Sequence, residues 1–474
     1  MGLINFLFIL KGILLLPIIT KLLGAQNYGV WTQLSVTLSL VSPLLLLGLP
    51  FSLVRFLAGR TDKKEIREGI YSVFFTIFFI GLFIVLIFLI LAPSIGNFLQ
   101  APPLFIKILA FIILFECLNS VFFNVLRTFE EIKKYSVLTI SQNFGEIGLV
   151  VFALFSGYGL LGAILSLFII RLVIFFILSI FILKKFGIKI PTFSPLKKYL
   201  RFGLPTVASN ISYWLVTSSD RYLIGFFLGV LYVGYYAPAY AMGNLLNFFI
   251  YPLGFLLPSA LAKFFDENKL QETRIHLKYS FKYFLLLAVP SLFGLSFLSK
   301  PILTIFSTPE IASNSYFITP FIALSILLYG ATGIFSEILS LAKKTKIASS
   351  IWMAAALINL GLNLFFIPRF GILGAALTTL FAYAFAFLLT WRLAFKELTF
   401  EIDHKFIFKV IPASVLMTFF LFWLNPSGLL EIIIAIILGG SIYGILIILF
   451  KGIDKKEFDF FKDFFKHYFA RSQP

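Results

Sequence analysis

One cysteine in 474 residues, Cys117, excludes a disulfide framework within the chain and any site built on several thiolates. There are three histidines, His276, His404 and His467; they are far apart and near predicted membrane edges, so neither a zinc site nor a histidine base is read from them. No metal ligand set and no resident cofactor is expected. Charge is scarce as well: 13% of residues are Asp, Glu, Lys or Arg, about half the usual share. A soluble core of this size would need more polar surface than the chain can supply. No glycine-rich phosphate loop or ATPase signature occurs, so direct ATP-driven pumping is not supported. No groove-reading or base-stacking module is visible, and nucleic acid is not an expected partner.

What is present is apolar. Hydrophobic residues make up 60% of the chain and aromatics 18%, and the mean hydropathy is +1.00. Runs of about twenty apolar residues, long enough to cross a bilayer, recur almost end to end. The fold class is an all-α polytopic membrane protein with about fourteen spans. These are read near 3–23, 30–58, 69–92, 104–126, 135–156 and 159–184, then near 201–228, 232–262, 276–299, 314–342, 346–368 and 371–396, with two more near 405–424 and 429–450. The opening stretch MGLINFLFILKGILLL is not followed by a small-residue cleavage site and reads as an uncleaved first helix. Phe6 stands where myristoylation would want Ser or Thr.

Lysine and arginine sit in alternate loops, for example Arg60, Lys63, Lys64 and Arg67, then Lys133 and Lys134, then Lys184 to Arg201. Lys300 and Arg369 are the main exceptions. That asymmetry places both termini on the cytoplasmic side of the membrane. Much of the formal charge of +18 is therefore topology signal rather than a nucleic-acid footprint.

The chain also repeats itself. Leu23-Gly24 and Tyr28-Gly29 return as Leu228-Gly229 and Val233-Gly234, each glycine 205 residues on. Gly159-Leu160-Leu161-Gly162-Ala163 returns as Gly371-Ile372-Leu373-Gly374-Ala375, 212 residues on. Two echoes at nearly one offset indicate a duplicated unit of about two hundred residues. Six helices per unit, an even number, make the copies parallel, with a path between two lobes. The expected division is an N-terminal lobe 1–200, a C-terminal lobe 201–400, two added helices in 401–451 and a tail 452–474. In the tail, Phe458, Phe461, Phe465 and Phe469 at helical spacing among lysines predict an amphipathic helix lying on anionic lipid.

Charged residues at bilayer depth are costly and mark function unless they pair structurally. Lys11 lies about 12 Å into the first helix, where it either snorkels to the interface or faces a cavity. Glu146 and Arg171 fall at similar depth on a helical hairpin, as a structural pair or as a coupling acid and an anion-binding cation. Asp220 and Arg221 are adjacent, about 100° apart on a helix, and are not expected to pair with each other. Asp220 ties two helices together or serves ion coupling; Arg221 faces a cavity beside Tyr213 and Tyr222, which offer stacking surface. Glu116 is read as an isolated acid, protonated or ion-binding. Arg55, near a cytoplasmic end, is the best of the interfacial cations for first capture of an anion. Arg127, Glu337 and Arg392 read as interfacial.

Thr20-Lys21-Leu22-Leu23-Gly24 with Tyr28-Gly29, Asp220 with Leu228-Gly229, Gly234-Tyr235 and Ala239, and Ala342 to Lys346 with Asn359, Asn363, Pro368, Gly371 and Gly374 carry a family resemblance. Together these stretches resemble the polysaccharide-biosynthesis (oligosaccharide, O-antigen-type) flippases of the MATE-like multidrug/oligosaccharidyl-lipid/polysaccharide (MOP) superfamily. The resemblance implies two lobes around a central cavity, alternating access, and a polyprenyl-diphosphate-linked oligosaccharide as cargo. It implies membrane lipids and other glycan-assembly membrane proteins as further partners, no enzyme activity, and a proton or sodium ion as the candidate coupling ion. Two relatives in the superfamily supply the alternatives, a lipid II flippase and a cation-coupled multidrug antiporter. A membrane glycosyltransferase or polymerase would need catalytic residues on a large aqueous loop, and the longest expected outer loop, 300–313, holds only Glu310 as an acid.

Overall fold

The computed structural model describes residues 2–453 and Glu457, and among them it is all helix, turn and loop. The first half contains α1 (Gly2–Leu46), α2 (Leu49–Leu57), α3 (Lys63–Ile90), α4 (Ala92–Leu99), α5 (Pro103–Thr128), α6 (Ile132–Phe155) and α7 (Gly159–Phe186). The second contains α8 (Leu196–Leu228), α9 (Val230–Gly243), α10 (Asn247–Asp266), α11 (Leu270–Phe306), α12 (Pro309–Ser315), α13 (Ile318–Leu341) and α14 (Thr345–Ala394). Then come α15 (His404–Leu424) and α16 (Leu429–Leu449). Eleven described segments are long and apolar enough to cross a membrane. Two of these, the α1 segment and α14, are not single straight helices. Each is a pair of helices meeting at a glycine outside the helical region, Gly24 (φ 76°, ψ 175°) and Gly371 (φ 61°, ψ −143°). Divided there, and with α8 counted, the described chain holds fourteen helical segments of span length.

Several boundaries differ from those expected. The second span starts directly after Gly24 and breaks at Leu47–Gly48, both at positive φ, before Pro50 opens α2. A proline in the first turn suits a helix start because its missing N–H is one of the unpaired donors there. The expected outer loops near 93–103 and 300–313 instead hold the short helices α4 and α12 and the end of α11. The expected tail helix lies outside the described residues apart from Glu457.

The duplicated motifs adopt matching backbones. Gly24 and Gly229 both have positive φ (76° and 99°), and so do Gly159 and Gly371 (57° and 61°). Glycine enters this region without the clash that a Cβ brings. The repeat also governs contact between the halves. A Cβ on Gly29 would lie 2.0 Å from the Val230 carbonyl oxygen, and one on Gly234 would lie 1.9 Å from that of Ala25. Ala25 and Val230 are themselves 205 residues apart, so each half offers the same glycine to the same carbonyl of the other. Such reciprocity is the mark of a two-fold relation. At the far end of the same helix, Gly48 and Gly203 meet backbone to backbone, where a Cβ on Gly48 would be 2.2 Å from the Gly203 carbonyl oxygen.

Two large apolar cores flank this seam. One is built mainly from residues of α1 to α7, with Val230 reaching in from α9. The other is built mainly from α8 to α16, with Leu16 and Ala25 reaching in from α1. The basic loops share one face: Lys185 bonds Glu131, Lys189 bonds Glu68 (2.7 Å), Lys344 bonds Glu397 (2.7 Å) and Lys278 bonds Glu401 (2.6 Å). At the opposite end Gln100 accepts from the Val230 N–H (2.8 Å) and donates to the Gly225 carbonyl (3.1 Å).

Gly234→Ala should overpack the seam and cost about 1–3 kcal/mol. A lowered midpoint in thermal unfolding of the detergent-solubilised protein checks this. Gly12→Ala, with open space where its Cβ would stand, should not lower it.

Candidate functional site

Four of the expected site residues form one network. Lys11 on α1 donates from Nζ to Glu146 Oε2 on α6 (2.7 Å). The other oxygen of Glu146 accepts from Arg171 Nη1 on α7 (3.3 Å). Arg171 Nε donates to Glu116 Oε2 on α5 (2.7 Å), and Arg171 Nη1 also reaches the Leu167 carbonyl (3.0 Å). Asn119, one turn after Glu116, donates to the Arg171 carbonyl (2.9 Å). The signs alternate along the chain of contacts, so four ionised groups carry no net charge. Opposite charges at these distances attract strongly once water is excluded, which is what makes their burial tolerable.

This arrangement corrects one expectation. Glu116 is not isolated; the Arg171 guanidinium, with donors pointing in several directions, spans both acids. Lys11, for which both an interface and a cavity were open, pairs with Glu146. The network is not sealed, however. Glu146 and Arg171 are buried, whereas the side chains of Lys11 and Glu116 are 21% and 35% exposed. Those two ends are the accessible parts of the network.

A second cluster joins α8 to its neighbours. Asp220 Oδ1 accepts from the Arg221 N–H and from Arg221 Nη1, both at 2.9 Å, and Oδ2 accepts from the Tyr236 hydroxyl (2.6 Å). Adjacent residues leave a helix about 100° apart, but the long arginine stem curls back far enough to close the pair, contrary to expectation. The Arg221 guanidinium lies 3.9 Å over the Tyr240 ring, a cation–π contact. Gln33 on α1 donates to the Arg221 carbonyl (2.8 Å), fastening this turn of α8 to the other half. Asp220 therefore ties α8 to α9, as the structural reading of this residue requires.

The two expected tyrosines separate. Tyr213 sits two turns before Arg221 on the same side of α8. Tyr222 points the other way: its hydroxyl bonds Thr37 (2.7 Å) and its ring packs on Trp214 and Phe98. Arg55 is exposed on α2 and makes no ion pair among the described residues. Sequence reasoning missed Tyr236 and Tyr240, whose spacing of four on one helical face was the available signal. It also missed Lys282, buried on α11 against Glu457 (2.9 Å) and Asp403 (3.9 Å), which secures the chain after α14 and after α16. No group of three or more His, Cys, Asp or Glu suited to a metal occurs among the described residues.

Residues 18–311 match the family described as polysaccharide biosynthesis protein. The chain belongs to that family. A protein of Haloferax volcanii named as a probable low-salt glycan biosynthesis flippase, Agl15, is 22% identical over 276 residues, a match spanning 57% of this chain and 58% of that relative's length. Among solved structures, the inward closed conformation of the lipid II flippase MurJ superposes with a TM-score of 0.76 at 19% identity, covering 95% of this chain and 97% of that one. An inward-facing multidrug resistance MATE family transporter of the MOP superfamily gives 0.69 at 14% identity, covering 84% and 94%. The fold of this family member is thus that of the MOP transporters, and the chain is a multi-pass membrane protein.

Arg171→Met should be the more damaging of two charge deletions. It leaves Glu116 without a partner and Glu146 with Lys11 alone, at about 3–5 kcal/mol, whereas Lys11→Met leaves Glu146 still bound by Arg171. Unfolding midpoints in detergent should rank wild type, Lys11→Met, Arg171→Met, and Arg171→Met/Glu116→Gln/Glu146→Gln should recover part of the loss.

Proposed function

We propose that this protein is a flippase that moves a polyprenyl-diphosphate-linked oligosaccharide from the inner to the outer leaflet of the cytoplasmic membrane, by alternating access of a cavity between two six-helix lobes. The observation that carries the reading is the Lys11–Glu146–Arg171–Glu116 network, deep in the first half and open at both ends. A diphosphate cannot cross hydrocarbon bare; it needs fixed cations and excluded lipid around its head while its tail stays in the bilayer. Lys11 and Arg171 are cations held ready on internal carboxylates, and a diphosphate entering at the Lys11 end exchanges one anionic partner for another. That exchange avoids the cost of leaving either cation bare in a dry site.

Glu116, the more exposed acid, is the candidate for a coupling proton or sodium ion, and Arg55 is the cation placed for first capture at the basic face. That face is cytoplasmic on the positive-inside pattern, with both termini there. With the interior negative, outward movement of anionic charge is favoured by about 2.3 kcal/mol per charge per 100 mV, so direction does not depend on a coupling ion alone. The relative named for glycan biosynthesis favours a glycan cargo over lipid II or a drug. Membrane lipids surround the chain, and membrane proteins of glycan assembly are the natural source and destination of the cargo.

Flipping of a fluorescent polyprenyl-diphosphate oligosaccharide in proteoliposomes tests this reading. Wild type should transport it, and Lys11→Met, folded by its thermal midpoint, should lose at least about tenfold in rate, as deletion of one charge-assisted contact predicts. Absence of flipping by wild type together with efflux of an organic cation would replace the flippase by an antiporter.

A further inference from the structure

A cluster of phenols lies in the second half of the protein. Tyr329 on α13 packs on Trp352 and Tyr383 of α14 with ring centroids 5.5 Å and 5.8 Å apart, and Trp352 and Tyr383 are 5.6 Å apart. Tyr240 on α9 lies beside Tyr383 and carries the Arg221 guanidinium on its ring. Tyr213 on α8 is 55% exposed, on the stretch of α8 whose Leu215 and Val216 pack with Tyr329, Trp352 and Tyr383. Tyr251 on α10 is exposed, and its neighbour Ile250 meets α13 at Gly330, beside Tyr329. Tyr240 and Tyr383 are buried, Tyr213 and Tyr251 exposed, and Tyr329 and Trp352 half-buried.

We propose that this cluster is the carbohydrate subsite of the transporter and that it takes uncharged sugar rings. The proposal rests on the flippase reading above and adds where, and by what chemistry, the glycan is held. A sugar ring presents a C–H face that packs on an aromatic face and a rim of hydroxyls that both donate and accept. Tyrosine matches both, because its ring is apolar and its hydroxyl donates and accepts. Five tyrosines and a tryptophan from α8, α9, α10, α13 and α14 offer this combination at one place. Among the described residues the cation touching the cluster is Arg221, which is matched by Asp220, so the surface carries no net charge and gives an anionic head group no advantage. A diphosphate-linked glycan thus meets fixed cations in one half and phenols in the other, in the order in which its own chemistry changes.

The test uses the full chain in nanodiscs, with binding read by native mass spectrometry. The probes are bare polyprenyl diphosphate and a panel of the same lipid bearing neutral di- and trisaccharides. Wild type should bind at least one glycosylated lipid about tenfold tighter than the bare one. The ring-preserving double variant Tyr251→Phe/Tyr329→Phe should lose about fivefold of that preference through its missing hydroxyls, and bind the bare lipid as wild type does. Tyr213→Leu should remove a similar share through the lost ring. Equal weakening towards both kinds of lipid, or wild-type binding of bare lipid with no preference for any sugar, would overturn the subsite while leaving the flippase reading standing. Binding of neither kind by wild type would overturn both.

Discussion

Two glycines allow the backbones of the two halves to meet where any side chain would hold them apart. Gly29 receives the Val230 carbonyl and Gly234 receives the Ala25 carbonyl, at corresponding positions 205 residues apart. Within a membrane, lipid is as apolar as leucine, so burying apolar surface gives helices little reason to associate. Close van der Waals approach at small residues takes over that role. The seam also fixes where other groups fall. Gln33, one turn beyond Gly29, reaches the Arg221 carbonyl, and Gln100 reaches the turn at Val230, so the polar ties between the halves are set by the approach that the glycines permit.

The charge network depends on the same economy. Lys11, Glu146, Arg171 and Glu116 come from four different helices, and none would be stable alone at that depth. Paired in sequence they neutralise one another, and the partial exposure of the two ends keeps the network from being a closed structural knot. The Asp220–Arg221–Tyr236–Tyr240 cluster is tighter and almost wholly buried, which fits a fixed support for the seam and for the phenols packed on it.

Much of the fold was legible because its signals are physical and local. Apolar runs of span length, lysines in alternate loops and glycines at positive φ each follow from one constraint on the chain. The recurrence of Gly24 as Gly229 and of Gly159 as Gly371 was legible because only glycine accepts that backbone cheaply. The break at Leu47–Gly48 was missed because the leucine run hides it, although Gly48 and Pro50 announce a new helix. The site was legible as a list of residues and not as an arrangement. Equal depth brought Glu146 and Arg171 together correctly, but nothing in the sequence says that Arg171 also reaches Glu116 or that Lys11 comes to Glu146 from 135 residues away. Helix rotation decides this, as it decides that Tyr222 turns towards Thr37. The pairing of Asp220 with Arg221 was misjudged because angular separation at Cβ ignores the length of the arginine side chain.

The proposed alternating access requires the Gly29–Gly234 seam to open and close while each half moves as a unit. The most direct measurement is the distance between spin labels at residues 27 and 232, on opposite sides of the seam, in nanodiscs by pulsed electron paramagnetic resonance. The account predicts a short-distance population in the resting protein and a longer one that grows when a polyprenyl-diphosphate oligosaccharide is added. A single short distance under both conditions, in a labelled protein that still flips its cargo, would contradict it.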